Sequence, residues 1–407
     1  MSTVSNLLST SLMLMQSLAS MLQTLRRPFL IVCAICILSN PSAALRKLRL
    51  VYISLLYLAF CKDKKWKVPK EKDPASFFPK ELGGSGSGAN DKQYREKTIL
   101  IIRHGESTWN DTFNAGDRNK LLFVLLFLPN LVYAIVAELY FFISGKDSES
   151  WFYDSALSAK GVSQAEGMRQ FLKKEKMKLG SGSSGGSGTN REEHAIKLLL
   201  ALGDEGGASS SVSSHVVSSN LRRAISTAAI TLADRFALNH KDDEIILLPS
   251  LQEISFNPDA LSILPPRGVV HPTWCDTNIA GLSSKKKSFA SMVNTTYHTG
   301  NKTLDSNGLL RLQQFCADVF DDTKLPKSNI IAVGHSLFFR SFFRVYLPRG
   351  VEHIAKEKKL VNGGSVMVTL REVTIMDGEK KKLTKEYMID PTSIVVVYGG
   401  FGKHTKG

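Results

Sequence analysis

The sequence predicts an α/β fold, a three-layer sandwich with a mostly parallel central sheet and helices on both faces. Three observations predict it. Short apolar runs at residues 97–102 (KTILII), 215–217 (HVV) and 329–333 (NIIAV) have the length and composition of buried strands. Each run ends in a turn that leads into a helix-like segment, and each strand end presents a basic residue or a histidine. Between the first two runs, LSAKGVSQAEGMRQFL has the spacing of an amphipathic crossover helix, the connection that parallel strands require.

In chain order, residues 1–62 come first and contain no Asp or Glu; the first acid is Asp63. Apolar segments at residues 7–25, 28–38 and 50–61 are separated by Arg26 and Arg27, then by Arg46, Lys47 and Arg49. A bilayer-crossing helix needs roughly 20 apolar residues, so the two later runs are short for single spans. The region reads as apolar N-terminal helices forming a membrane anchor. A basic, acid-free targeting sequence for a mitochondrion or plastid and a buried helix pair are the alternatives. Cys61, at the apolar–basic junction, is a site where a palmitoyl chain would fit. After it, KDKKWKVPKEKD is a basic patch suited to anionic lipid, and ELGGSGSGAND reads as a flexible linker. Residues 63–95 are therefore expected as linker, and residues 96–403 as the main folded domain.

Two insertions interrupt that domain. The first, residues 119–146, contains the apolar run 121–143, whose single charged residue is Glu138. Proline lacks an N–H and disfavours helix at the residue before it, so Pro129-Asn130 predicts a helical hairpin. Tyr140, Phe141, Phe142, Trp151, Phe152 and Tyr153 would sit at a membrane interface. In the second, residues 178–214, LGSGSSGGSGTN and GDEGGASSSVSS flank REEHAIKLLLAL, expected as a flexible surface excursion. Residues 256–305 would roof a pocket. VMVTLREVTI and KKKLTKEYMI alternate around Asp377-Gly378 and predict a β-hairpin.

Composition narrows the partners. A net charge of +15 and a pI near 9.5 favour acidic ones, either phosphorylated molecules or anionic lipid. The lysine runs 285–287 and 380–382 lack interleaved aromatics, so nucleic acid is not expected. Cys33, Cys36, Cys61, Cys275 and Cys316 form neither a disulfide framework nor a zinc set, and no metal or cofactor is expected.

RHGESTWN, DSALSAKGVSQA, SSNLRRAISTA, LQE and VGHS follow one another in that order. This ordered set resembles the histidine phosphatase superfamily, with its phosphoglycerate mutase-like fold, over residues 97–400. The resemblance implies that His104 is a nucleophile forming a phosphohistidine. It implies that Arg103, Arg223 and His335 surround the phosphate oxygens, that Asn110 adds a neutral donor, and that Glu253 is the general acid and base. These residue types suit the chemistry on their own terms. A neutral imidazole is a competent nucleophile near pH 7, and forked guanidinium groups stabilise charge in phosphoryl transfer. Glu106 is expected to orient its loop, and Arg222 to be solvated.

ISFNPDALSILPPRGVVHPTW after Glu253 does not resemble the mutase stretch at that place, and the substrate loop expected after the first motif is replaced by the apolar run. Hydrolysis of a phosphomonoester, on a small molecule, lipid or protein, is the expected activity. A phosphoglycerate mutase and an idle membrane scaffold of the same fold are the alternatives. A single membrane crossing at residues 121–143 would separate His104 from Arg223, Glu253 and His335, so the run must return to its starting side. Asn110, Asn294 and Asn301 begin N-x-T sequons. A glycan on Asn110 would block its role, which places the domain toward the cytosol or an organelle interior.

Overall fold

The computed structural model describes residues 40–69, 73–78, 94–116, 118–146, 149–180, 190–202, 213–238, 240, 242–274, 276, 289–377 and 382–402, with scattered positions between 13 and 38. The apolar segments 7–25 and 28–38 (with Cys33 and Cys36) lie largely outside the described residues. So do Cys275, the Gly/Ser stretches and the lysines 285–287, 380 and 381.

The sheet is organised around β1 (Tyr94–Arg103). Ile99 and Ile101 face one core cluster, Leu100 and Ile102 the other, and all four are fully buried. A strand apolar on both faces needs cover on both, which is why helices flank the sheet. On one side, β5 (Asn329–Gly334) runs parallel to β1, β2 (Ser214–Ser218) parallel to β5, and β3 (Ile245–Leu247) and β4 (Val293–Asn294) continue the parallel run. On the other side, β6 (Ser365–Asp377) pairs antiparallel with β1 and carries β7 (Lys382–Ile389) and β8 (Val395–Tyr398). The order is β4-β3-β2-β5-β1-β6-β7, with β8 also on β6. The β6–β7 hairpin falls where the alternation places it, although its turn, residues 378–381, lies outside the described residues.

The expected three layers are present. One face is covered by α4 (Ala159–Gly180), α5 (Asn190–Leu200) and α6 (Arg222–Thr231), the other by α8 (Gly308–Val319) and α9 (Ser336–Tyr346). The shorter helices are α2 (Thr108–Phe113), α7 (Ala233–Phe236) and α10 (Ile354–Glu357). Ahead of the sheet, α1 (Pro41–Phe60) starts behind an Asn40 side chain that accepts from Ala43 N.

Three expectations need correction. The insertion at residues 119–146 is not a hairpin: α3 (Lys120–Ile143) runs unbroken through Pro129. A mid-helix proline removes one backbone hydrogen bond and costs about 3 kcal/mol. Tertiary contacts offset that loss. Phe127 packs on Phe113 (ring centroids 6.3 Å apart), Tyr133 on Trp151 (5.3 Å), and Glu138 Oε1 accepts from Lys47 Nζ (2.6 Å).

Second, REEHAIKLLLAL is no surface excursion, because α5 buries Ala195, Ile196, Leu198, Leu199 and Leu200 in the core. Third, the segment after residue 62 begins firmly attached. Asp63 is fully buried, accepting from Lys302 Nζ at 2.9 Å and Arg311 Nη2 at 2.7 Å.

Candidate active site

Parallel strands β2, β5 and β1 are neighbours, so their C-terminal ends lie side by side, the usual place for chemistry in such sheets. The residues just beyond those ends are Ser219, His335 and His104. Arg103 closes β1, and Arg223 follows on the first turn of α6. A cavity of about 720 Å³ opens here, with Arg103, His104, Asn110, Arg223 and Glu253 in its wall. His335 is not in the wall. It is fully buried behind His104, with the two imidazole centroids 4.9 Å apart. Five of the six anticipated residues therefore share one surface, and the sixth backs it.

His104 is held by its neighbours. Its backbone N–H donates to Gly334 O at 3.0 Å, locking the end of β1 to β5. Ring Nδ1 lies 2.5 Å from Gly105 O, so Nδ1 carries the proton and Nε2 keeps its lone pair. Arg223 Nε donates to that Nε2 at 3.3 Å. Burial, then the charges of Arg223 and Arg103, push the His104 imidazole well below the ordinary histidine range, against the opposing pull of the Gly105 carbonyl. His104 is thus neutral at physiological pH.

His335 Nε2 meets Ser219 Oγ at 2.8 Å, and Ser219 Oγ in turn accepts from Leu221 N at 3.3 Å. A hydroxyl can both donate and accept, so this contact suits either tautomer of His335, whose other ring nitrogen is Nδ1. That nitrogen is buried with no hydrogen-bond partner among the described residues. Burial and then the Arg223 charge lower this imidazole well below its usual value too.

The helix N-termini around the cavity are already occupied. Glu253 Oε1 accepts from Phe338 N (3.0 Å) and Oε2 from Leu337 N (3.4 Å) at the start of α9. Asp154 Oδ1 accepts from Arg222 N at the start of α6, and Ser107 Oγ from Asn110 N at the start of α2. An anion in this cavity therefore depends on side chains rather than on open helix ends. Arg103 Nη1 donates to Leu360 O at 2.6 Å, which fixes its guanidinium against the cavity wall. Asn110 Oδ1 accepts from Asn114 Nδ2 at 2.6 Å.

Several important residues escaped the sequence reading. Asp259 is buried and holds Arg223: its backbone carbonyl accepts from Nη1 at 2.5 Å, and its Oδ2 lies 3.4 Å from Nη2. Burial raises the Asp259 carboxyl while the Arg223 charge opposes that rise. Beneath Glu253, Lys302 Nζ donates to the Glu253 carbonyl at 2.7 Å, and Arg311 Nη2 donates to it at 3.2 Å; Asp63 holds both cations. Burial lowers Lys302 to about 8. No local pattern marks these residues, because their partners are distant in the chain.

Arg222 is buried rather than solvated. Its Nη1 donates to Glu149 Oε2 at 2.6 Å and its Nε to Asp154 O at 2.8 Å. The whole of α6 is buried, so its first arginine has no route to water. The Glu106 backbone carbonyl accepts from Ser158 N at 2.9 Å.

Neither a family model nor a curated protein matches the chain. Among solved structures, it is similar to an Escherichia coli protein described as an alpha-ribazole-5'-P phosphatase (13% identity, TM-score 0.30, 76% of this chain and 99% of that one). It is also similar to mycobacterial hydrolase 1 (14%, 0.31, 75% and 100%). A mycobacterial glucosyl-3-phosphoglycerate phosphatase gives 14%, 0.28, 72% and 97%. At such TM-scores these overlaps carry no weight for function, and the chemistry below stands on this chain's own residues.

Proposed function

We propose that the protein is a membrane-associated phosphomonoester hydrolase working through a phosphohistidine on His104. The observation that carries this reading is one neutral imidazole with its Nε2 lone pair turned toward a buried arginine, in a cavity that also holds a carboxyl group.

In the first step, His104 Nε2 attacks phosphorus and the P–O bond to the leaving alcohol breaks. Glu253, as general acid, passes the departing oxygen the proton it needs. In the second, water attacks the phosphohistidine, Glu253 accepts the proton from that water, and inorganic phosphate and free His104 are released. Arg103 and Arg223 neutralise the phosphoryl oxygens, Asn110 adds a neutral donor, and His335 supports the His104 ring from the buried side, its centroid 4.9 Å away. Arg223 already reaches His104 Nε2, at 3.3 Å.

The test is turnover of p-nitrophenyl phosphate by wild type and His104→Ala. Loss of roughly 10³-fold or more in the variant is expected for a nucleophile. Silence in both would favour an idle scaffold, and conversion of 3- to 2-phosphoglycerate a mutase.

A further inference from the structure

Among the described residues, α3 is the one helix long and apolar enough to cross a membrane. Its packing does not allow a crossing. At about 1.5 Å per residue it is roughly 36 Å long, and contacts at Phe127, Tyr133 and Glu138 press about 17 Å of its middle against the catalytic body. Both flanks return to that body: Arg118 Nη2 donates to Asp111 O at 2.5 Å, and Glu149 pairs with Arg222 at 2.6 Å. A bilayer threaded by α3 would have to swallow the charged cavity beside it.

The outward side of α3 is nonetheless apolar and uncovered by the described residues. Leu121, Leu125, Leu128, Val132 and Val136 recur at three- or four-residue spacing and are 49–69% exposed. On α1, Leu48, Val51, Tyr52, Leu55 and Leu58 do the same. The two helices are tied by Lys47 and Glu138, which are largely shielded from water; fully buried Ala43 and Ala134 lie one turn before them. Basic residues border this surface: Lys62, Lys64, Lys65 and Lys67 just after α1, and Lys120 at the start of α3, all exposed. Lys64, Arg118 and Lys120 also line the cavity, so its rim lies where α1 ends and α3 begins.

We infer that α1 and α3 lie in the plane of an anionic bilayer surface and that the cavity takes its phosphate monoester from that bilayer, a long-chain lipid phosphate. An apolar face bordered by lysines is what an in-plane helix offers to a negatively charged interface. A phosphate at headgroup depth would meet Lys64, Arg118 and Lys120 before it reached His104, while its acyl chains stayed among lipids. The substrate assignment rests on the phosphatase reading above; the docking geometry does not.

The experiment uses the full chain and the triple variant Leu125→Glu, Val132→Glu, Val136→Glu, whose sites are exposed and outside the cavity. Flotation with vesicles of phosphatidylcholine alone or with phosphatidylserine reads docking. Hydrolysis of vesicle-borne dioleoyl phosphatidate, soluble dihexanoyl phosphatidate and p-nitrophenyl phosphate reads substrate. Wild type should float with the serine-containing vesicles, less so at high salt. The variant should lose flotation and at least tenfold of its activity on the dioleoyl lipid, and keep both soluble activities within about twofold. Undiminished flotation and vesicle activity in the variant would overturn the docking surface. Wild type that floats but hydrolyses only soluble esters would overturn the lipid substrate alone. Wild type that floats yet is inert on every ester would sink the phosphatase reading and leave docking supported. A dimer broken by the substitutions, with no flotation of wild type, would assign the face to a second copy instead.

Discussion

At the scale of single residues, the site depends on keeping two imidazoles neutral and one arginine still. Arg223 reaches His104 while Asp259 grips its other end. Asp259 is a positioning residue: Asp259→Asn should leave the fold intact and lower kcat/KM on p-nitrophenyl phosphate by roughly 10–100-fold, since small misplacements in a phosphoryl site are costly. Weaker competitive inhibition by vanadate would tie the loss to the phosphate cradle, whereas unchanged inhibition would point elsewhere.

The two buried histidines also make stability depend on pH. In the unfolded chain they take up protons near pH 6.5, but in the folded chain only well below that. As pH falls through 6.5 the unfolded state gains protons that the folded state refuses, so stability falls. Thermal unfolding of wild type between pH 7.5 and 5 should show that decline, and His335→Asn should make it shallower. An identical slope in both would exclude His335 as a source.

At the scale of elements, the loop carrying His104 is clamped from behind by the start of α4. A Cβ on Gly161 would sit 2.0 Å from Glu106 O, and one on Gly105 2.3 Å from Gly161 O. Helix propensity favours alanine over glycine by about 1 kcal/mol, but a backbone clash of this kind costs more, typically 1–3 kcal/mol. Gly161→Ala should therefore lower the melting temperature and activity together. Gly180→Ala, at the far end of the same helix with nothing within 4 Å among the described residues, should do neither. Equal behaviour of the two would remove the clamp.

Elements also show where local signals stop being informative. The strands at residues 97–102 and 329–333 were legible because their apolar runs and the turns after them are local properties. Pro129 was misread as a break because its cost is local and its compensation is not: Phe113, Trp151 and Lys47 hold α3 from other parts of the chain. REEHAIKLLLAL was misread because its glycine-rich flanks said surface, while its own leucines are buried in the core.

At the scale of the whole molecule, the six anticipated residues could be listed from ordered motifs, yet the groups that orient them could not. Asp259 acts on Arg223 across 36 positions, and Asp63 on Lys302 across 239. No spacing rule reaches so far. The buried Asp63 cluster joins the end of α1 to the backbone of Glu253, so the apolar surface and the reacting centre belong to one rigid arrangement.

The most direct test of the central claim is rapid acid-free quenching of enzyme mixed with phosphorus-labelled p-nitrophenyl phosphate, followed by peptide mapping. Acid-labile, base-stable label should appear on the peptide containing His104, accumulate in Glu253→Gln and be absent from His104→Ala. Label on a serine or threonine, or full turnover by His104→Ala with no labelled intermediate, would contradict it.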